Sequence, residues 1–383
     1  MYSAVLSYHL VRFSLDLYAQ LAYENEGKDI VFSAFSIGTM PCMLLADARN
    51  ETAAQLAQVQ KTRVDDNLIH EEFAALLSEL LDDAGDVIFR IANRIYSANQ
   101  STVRPDYLSF LESRYQATIE SVGFVCDHEA VRLAANHWVY EETVHKIRDL
   151  LPVGSVDAGT KMILINAIFM SASWQSRFQK IATQLRDFHL DNENRAQVEM
   201  MCQQSEFRIG RSDRLKCRAL EMPYRGGRFS MVILLPDDVE GLSFLEDNLR
   251  TYSLNSLLGS LEMDPDVCLS VPKLKVKLGL DLRDTVSALG VEDLFNSIRA
   301  DMTGIFEYRF HYVCGFFHQT FVDVDENGTE AGSSTLAILT IGAAGSEAGQ
   351  CTAFRGDHPF MFIITKTEMD AILFMVFVRN VQH

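Results

Sequence analysis

The sequence predicts an α+β protein organised round a large sheet, and three observations predict it. Apolar residues recur at three-to-four spacing through the first part of the chain, which marks amphipathic helices. β-branched and aromatic runs dominate the rest, and several are apolar from end to end, the pattern of central strands covered on both faces. At 383 residues and 48 % hydrophobic, the chain can bury a sizeable core, while eight prolines and no Pro-rich or Ser-rich linker give no place to divide it. One integrated domain over residues 1–383 is the expectation.

The elements follow in order. Leu6, Leu10, Phe13, Leu17 and Leu21 fall on one helical face, and His9, Arg12 and Asp16 interrupt any signal-like apolar core, so the first segment predicts an amphipathic surface helix. "CMLLADARNETAAQLAQV" (42–59) and "HEEFAALLSELLDD" (70–83) carry apolar faces at helical spacing. Pro105 stands where a helix starts well. Residues 127–151 predict a helix with one or two breaks. "VIFRIANRIYS", "KMILINAIFM", "FSMVILLP", "VCLSVPKLKVKL", "QTFVDVD", "PFMFIIT" and "AILFMVFVRNV" predict strands, with one further helix in "DLRDTVSALGVEDLF".

Composition narrows the function. A net charge of −18 argues against general binding to nucleic acid. No run of 18 apolar residues is present, so no membrane span is expected. Seven cysteines, an odd number without framework spacing, predict reduced and mostly buried thiols. Three N-x-S/T sequons, at Asn50, Asn99 and Asn327, carry little weight alone. No nucleophile elbow, phosphate loop or dinucleotide fingerprint occurs, and "HEEF" at His70 lacks the second histidine of a zinc motif. Neither a catalytic residue, a metal nor a cofactor is expected.

The informative segment is "ENGTEAGSSTLAILTIGAAGSEAGQCTAFRGDHPF", from Glu326 to Phe360. It runs from a charged turn through tiny residues into a strand-favouring stretch. It contains no proline before Pro359, so each backbone N–H is available to a sheet. Its first part, "ENGTEAGSST" (326–335), resembles the hinge of a serpin, preceded by "HQTFVDVD" and followed by "DHPFMFII" as in that family. "VFSAFSI" (31–37), "TAAQL" (52–56), "ANRIY" (92–96), "NHWV" (136–139), "INAIFMSASWQSRF" (165–178), "MPYRGGRFSMVILLP" (222–236), "PKLKV" (272–276), "LGVEDLF" (289–295) and "ADMTGI" (300–305) resemble further family motifs, in the family's order. Departures are structural: Ala34 for a usual proline, "DARN" (47–50) without the usual glycines, and Val376 for a glycine.

The resemblance implies three sheets, about nine helices and an exposed reactive-centre loop, here about residues 326–357. It implies inhibition of a serine protease by suicide trapping. The loop is cleaved, the protease is held as an acyl-enzyme, and the loop inserts into the main sheet. The implied hinge is Glu326, Gly328, Thr329, Glu330, Ala331, Gly332, Ser333, Ser334 and Thr335. By the family's register Thr329, Ala331, Ser333, Thr335, Ala337 and Leu339 would face the core, and all but the last are small enough to enter a closed sheet. Ser33, Ser36, Asn166 and His318 match polar residues under the sheet's opening, and Trp174 matches the aromatic where insertion begins.

Counting 17 residues from Glu326 places the scissile bond after Gly342, with Ile341 and Ala343 next. No Lys, Arg or aromatic lies between Glu330 and Ala353, which argues against a trypsin-like target and for an elastase-like one that accepts small or aliphatic residues. Glu347 keeps an acid-preferring protease as an alternative, and a cysteine protease is the cross-class alternative. The competing function is a non-inhibitory binding, carrier or chaperone protein on the same fold, against which the small residues Ala331 to Ser334 argue. Acidic residues around 64–81 argue against heparin. The expected partner is a covalently trapped protease, and the expected state a monomer with a risk of polymerisation. The expected location is the cytoplasm or unconventional export, with the extracellular space the alternative.

Overall fold

The computed structural model describes residues 4–81, 87–99, 101–249, 252, 254–308, 311–329, 351–367 and 371–381. These form two compact units. The first comprises residues 1–170, 276–322 and 362–378, and the second residues 171–275, 323–361 and 379–383.

In chain order the elements begin with α1 (Ala4–Glu24), β1 (Ile30–Phe32), α2 (Ala34–Leu45), α3 (Asn50–Val59), α4 (Asn67–Leu80), β2 (Val87–Ala98), α5 (Pro105–Tyr115), β3 (Thr118–Val122), α6 (Phe124–Glu142) and β4 (Met162–Ser173). They continue with β5 (Gln184–His189), β6 (Arg195–Ser212), β7 (Cys217–Pro223), β8 (Phe229–Pro236), α7 (Leu242–Leu249), α8 (Leu254–Gly259), β9 (Glu262–Pro272), β10 (Leu274–Asp281) and α9 (Arg283–Ala288). The last are β11 (Gly315–Val324), β12 (Gly328–Thr329), β13 (Thr352–Arg355), β14 (Phe360–Lys366) and β15 (Ala371–Val378).

In the first unit the predicted face of α1 is buried: Leu6, Leu10, Phe13, Leu17 and Leu21 are each at most 1 % exposed. The helix expected over 42–59 is two helices. Ser33 caps α2 by accepting from the Ser36 N–H, so the helix starts well before residue 42 and runs through Pro41. It stops before α3, where the Arg49 N–H is drawn to the Asp301 carbonyl and Asn50 takes a left-handed φ of 52°. The helix expected over 127–151 ends at Glu142. Val144 and His145 adopt positive φ, and the Leu151 N–H and carbonyl bond to the Asn136 side chain. Apolar periodicity runs through both breaks, so the sequence pattern alone cannot place them.

β15 pairs antiparallel with β1 and neighbours β14, and β14 and β15 are buried along their whole length, as all-apolar runs require. The second sheet of this unit contains β10, β11, β4, β2 and β3. β4 and β11 are parallel neighbours from Ile163–Gly315 to Phe169–Phe321, and a cluster including Ile163, Ile165, Phe317 and Phe321 forms its core.

The second unit is built on β8, β7, β6, β9 and β13 in that order, with β5 also on β6. β6 has 18 residues and changes partners along its length, meeting β5 through its first part and β7 through its last. Its polar, irregular sequence hid it, together with β5, from periodicity. β4 and β11 both continue into this unit, where β12 lies between their ends.

The cysteine expectation is corrected. Cys268 and Cys351 form a disulfide, and the five free cysteines among the described residues include only two buried ones, Cys42 and Cys217. Parallel pairing of β13 on β9 brings Cys351 beside Cys268, and this 83-residue separation leaves no spacing signature in the sequence.

Candidate functional site: a strand wedged between parallel neighbours

The second unit positions the start of the predicted hinge. After β11 the chain turns through Asp325, Glu326 and Asn327 and re-enters the sheet as β12. The Asp325 carboxylate stabilises that turn by accepting from the N–H groups of Asn327 and Gly328, at 2.7 and 3.1 Å. Thr329 pairs with Val324 on one side and Ala172 on the other, and Gly328 pairs with Ser173. At Gly328 a Cβ would lie 1.8 Å from the Ala172 carbonyl oxygen, so the close approach of two backbones dictates glycine here.

The side chains around this short strand fix it. Thr329 is fully buried, and its hydroxyl lies 2.6 Å from the Tyr224 hydroxyl. Tyr224 stacks on Trp174 with ring centroids 4.6 Å apart and 10° between planes. Trp174 donates from its indole N–H to the Asp325 carbonyl at 2.9 Å, and from its backbone N–H to the Asn327 carbonyl at 2.8 Å. Glu326 is 2 % exposed and accepts from the Thr183 hydroxyl at 2.8 Å and the Lys273 ammonium at 2.9 Å. Burial opposes its charge, but these donors outweigh burial, and the carboxyl stays below its ordinary range.

The first unit holds a separate polar cluster beneath the β4–β11 pairing. Asn166 and His318 are register partners across those strands, and both are fully buried. The Asn166 carbonyl accepts from the Ser36 hydroxyl at 3.0 Å and from His318 Nδ1 at 2.5 Å, while its amide donates to the Ser36 carbonyl at 3.0 Å and to Asn93 at 2.5 Å. A donating Nδ1 leaves Nε2 to accept from the Thr320 hydroxyl, 2.6 Å away. Burial pushes the His318 pKa down to about 3, so the ring is neutral near pH 7. Ser33 belongs to the cluster through its cap on Ser36.

The structure therefore brings Ser33, Ser36, Asn166 and His318 together in one unit, and sets Trp174 with Glu326, Gly328 and Thr329 in the other. The remaining hinge positions, Glu330, Ala331, Gly332, Ser333, Ser334 and Thr335, and the candidate scissile residues Ile341, Gly342 and Ala343, lie outside the described residues. Sequence reasoning missed Asn93, Thr320, Tyr224, Thr183 and Lys273. Asn93, Thr320, Tyr224 and Lys273 stand inside quoted motifs, "ANRIY", "HQTFVDVD", "MPYRGGRF" and "PKLKV", where a polar residue amid apolar ones was the available signal. Of the sequon asparagines, Asn99 is exposed in a turn, whereas Asn50 bonds to Asp301 with Thr52 buried, and Asn327 bonds within its own turn to Asp325. Among the described residues no cluster of three or more His, Cys, Asp or Glu could hold a metal, and no helix is long and apolar enough to cross a membrane.

A mixed sheet in which a two-residue strand pairs with the ends of two otherwise adjacent parallel strands is the feature that sets this fold apart. The family comparison makes this specific: residues 9–381 match the family model described as Serpin (serine protease inhibitor), and the chain belongs to the serpin family. It is 41 % identical over 381 residues to Iris of Ixodes ricinus, covering 98 % of this chain and 99 % of that one. It is 36 % identical over 369 residues to the leukocyte elastase inhibitor of Homo sapiens, covering 95 % and 96 %. Among solved structures, uncleaved ovalbumin superposes with a TM-score of 0.89 at 25 % identity, covering 98 % of this chain and 99 % of that one. Serpin48, a highly specific serpin of the insect Tenebrio molitor, superposes at 0.86 with 27 % identity, covering 98 % of each. The fold is the serpin fold, and the family together with the named elastase inhibitors supports protease inhibition, with a protease as partner.

Proposed function

We propose that the chain traps an elastase-like serine protease as a suicide substrate, with the cut after Gly342 or at its neighbours Ile341 and Ala343. The protease serine attacks the scissile carbonyl and is left esterified to it while the new amine departs. The freed segment after Thr329 then extends β12 downward between β4 and β11. One observation carries this reading: Gly328–Thr329 already occupies the position of a strand between β4 and β11, antiparallel to both, while further along those two strands pair with each other. Insertion continues a strand already begun. The small residues Ala331, Gly332, Ser333 and Ser334 offer little steric resistance to it.

On this reading the Asn166–His318 pair and its partners are the latch. Insertion has to separate β4 from β11, and that breaks a buried, fully satisfied network. Trp174 and Tyr224 hold the first inserted residue in place. The native state persists because this barrier is kinetic.

The test is incubation with a panel of serine and cysteine proteases, followed by denaturing electrophoresis. A complex that survives denaturant with an elastase-type enzyme, and the mass of the peptide beginning at the cut, establish mechanism and bond together. Cleavage without an adduct by every protease in the panel contradicts the proposal.

A further inference from the structure

We propose that the Cys268–Cys351 disulfide is a reduction-sensitive clasp. It holds the edge strand β13 on β9, and it keeps the chain covalently whole after a cut upstream of Cys351.

β13 is the most weakly attached strand downstream of the loop. It has four residues, pairs only with β9 among the described residues, and exposes Thr352, Ala353 and Arg355. Apart from the ladder, its anchors are these: Phe354 is buried beneath the Arg218 guanidinium, which also donates to the Ala353 carbonyl at 2.8 Å, the Thr352 side chain hydrogen-bonds to the Asp264 carboxylate, and the Gly356 N–H reaches Ser270. β14, which follows, is buried throughout. Cys268 stands in register with Ala353, and Cys351 is the residue immediately before β13. The bond therefore secures the end of β13 that any pull from the preceding loop reaches first.

Two consequences follow. Breaking one peptide bond between Thr329 and Cys351, as the trapping reading on which this part rests requires, leaves two pieces that the disulfide still joins. The 33 residues from Cys351 to His383 then cannot be lost, even in denaturant. In the uncut chain the clasp keeps the Val267–Ser270 edge of β9 covered, and an uncovered edge is a template for pairing with another copy. A small dithiol such as dithiothreitol undoes both: its thiols are oxidised to a cyclic disulfide, while Cys268 and Cys351 each gain a proton as free thiols. Such a bond forms and persists in an oxidising compartment.

The experiment has two arms, applied to the full chain and to Cys351→Ser. In the first, chain cut once between Thr329 and Cys351 by a protease that it does not trap is run in denaturant with and without dithiothreitol. The expected result is one species of intact mass without reductant and two with it, and two pieces from C351S in both lanes. A C-terminal piece that separates from the unreduced parent chain overturns the proposal. The second arm needs no cut: hydrogen exchange at Thr352–Arg355 and Val267–Ser270. Reduction of the native parent chain should speed exchange there by about tenfold or more, and C351S should match it if that variant folds. Exchange unchanged within about twofold overturns the clasp. If no protease cuts the loop, the trapping reading fails, while this second arm still decides the inference.

Discussion

Asn166 and His318 face each other across the parallel β4–β11 pairing, and their side chains share a hydrogen bond in which the neutral imidazole is the donor. Burial depresses the His318 pKa to about 3 from the ordinary 6.5. The unfolded chain therefore takes up a proton between those values that the native chain refuses. Stability is complete above pH 6.5 and falls as pH falls through the window toward 3. At pH 5 the loss from this residue is about 2 kcal/mol. Urea midpoints from pH 7.5 to 4.5 should show that slope, and His318→Gln should lessen it, leaving the part due to His9, His70 and His311, whose pKa values burial also lowers. A slope unchanged by the substitution contradicts the assignment.

Acid should also favour opening of the proposed latch before it unfolds the chain. With β4 and β11 paired, His318 stays neutral down to about pH 3, but a ring that their separation exposes to water returns toward the ordinary 6.5 and takes up a proton at pH 5, which favours the open form. Polymerisation on mild heating, followed by native electrophoresis, should speed up from pH 7 to pH 5. Equal rates at both values would contradict a latch at this pair.

Gly328 is expected to tolerate no side chain. A Cβ there meets the Ala172 carbonyl and the Ser173 Cα, neither of which can move without parting the strands. Gly328→Ala should lower stability by about 1–3 kcal/mol in equilibrium denaturation. An unperturbed midpoint would mean that β12 is not wedged where the structure places it.

Thr329→Arg tests the same site functionally. Thr329 is fully buried against Tyr224, and a long cation has no route into the sheet there. The variant should be cut by the target protease as fast as the parent chain, yet yield cleaved product in place of adduct. Retained adduct formation would count against the inserted register.

The Glu326–Lys273 pair predicts a second pH signature. Burial raises the Glu326 pKa, but the Lys273 and Thr183 donors lower it by more, and the net shift is downward. Its contribution is therefore present above pH 4.5 and is lost as pH falls through the lowered native value. Lys273→Met strands the nearly buried carboxylate. It should cost about 1–3 kcal/mol at pH 7, with the cost shrinking as the carboxyl protonates in acid. A cost that stays constant down to pH 3 would contradict the pair.

Much of this was legible in the sequence. Leu6 to Leu21 announced α1, and the unbroken apolar runs at 231–235 and 371–378 announced buried strands, because burial on both faces favours apolar residues. Motif order singled out a proposed hinge at 326–335, of which the described residues reach only Thr329, and named Ser33, Ser36, Asn166 and His318, which lie in one polar cluster. What stayed hidden depends on contacts between distant parts of the chain. The Asn166–His318 bond spans 152 residues and the Tyr224–Thr329 bond 105, and local pattern carries neither. The disulfide was hidden for the same reason, as was β6, whose polar sequence reflects a strand with changing neighbours.

The most direct test of strand uptake is a thermal melt of the intact chain beside the same chain cut once between Thr329 and Cys351, both unreduced. Insertion should raise the midpoint of the cut form by roughly 10 °C or more, since each kcal/mol moves a chain of this size by about 2–4 °C at most. A cut form that melts at or below the intact midpoint contradicts the account.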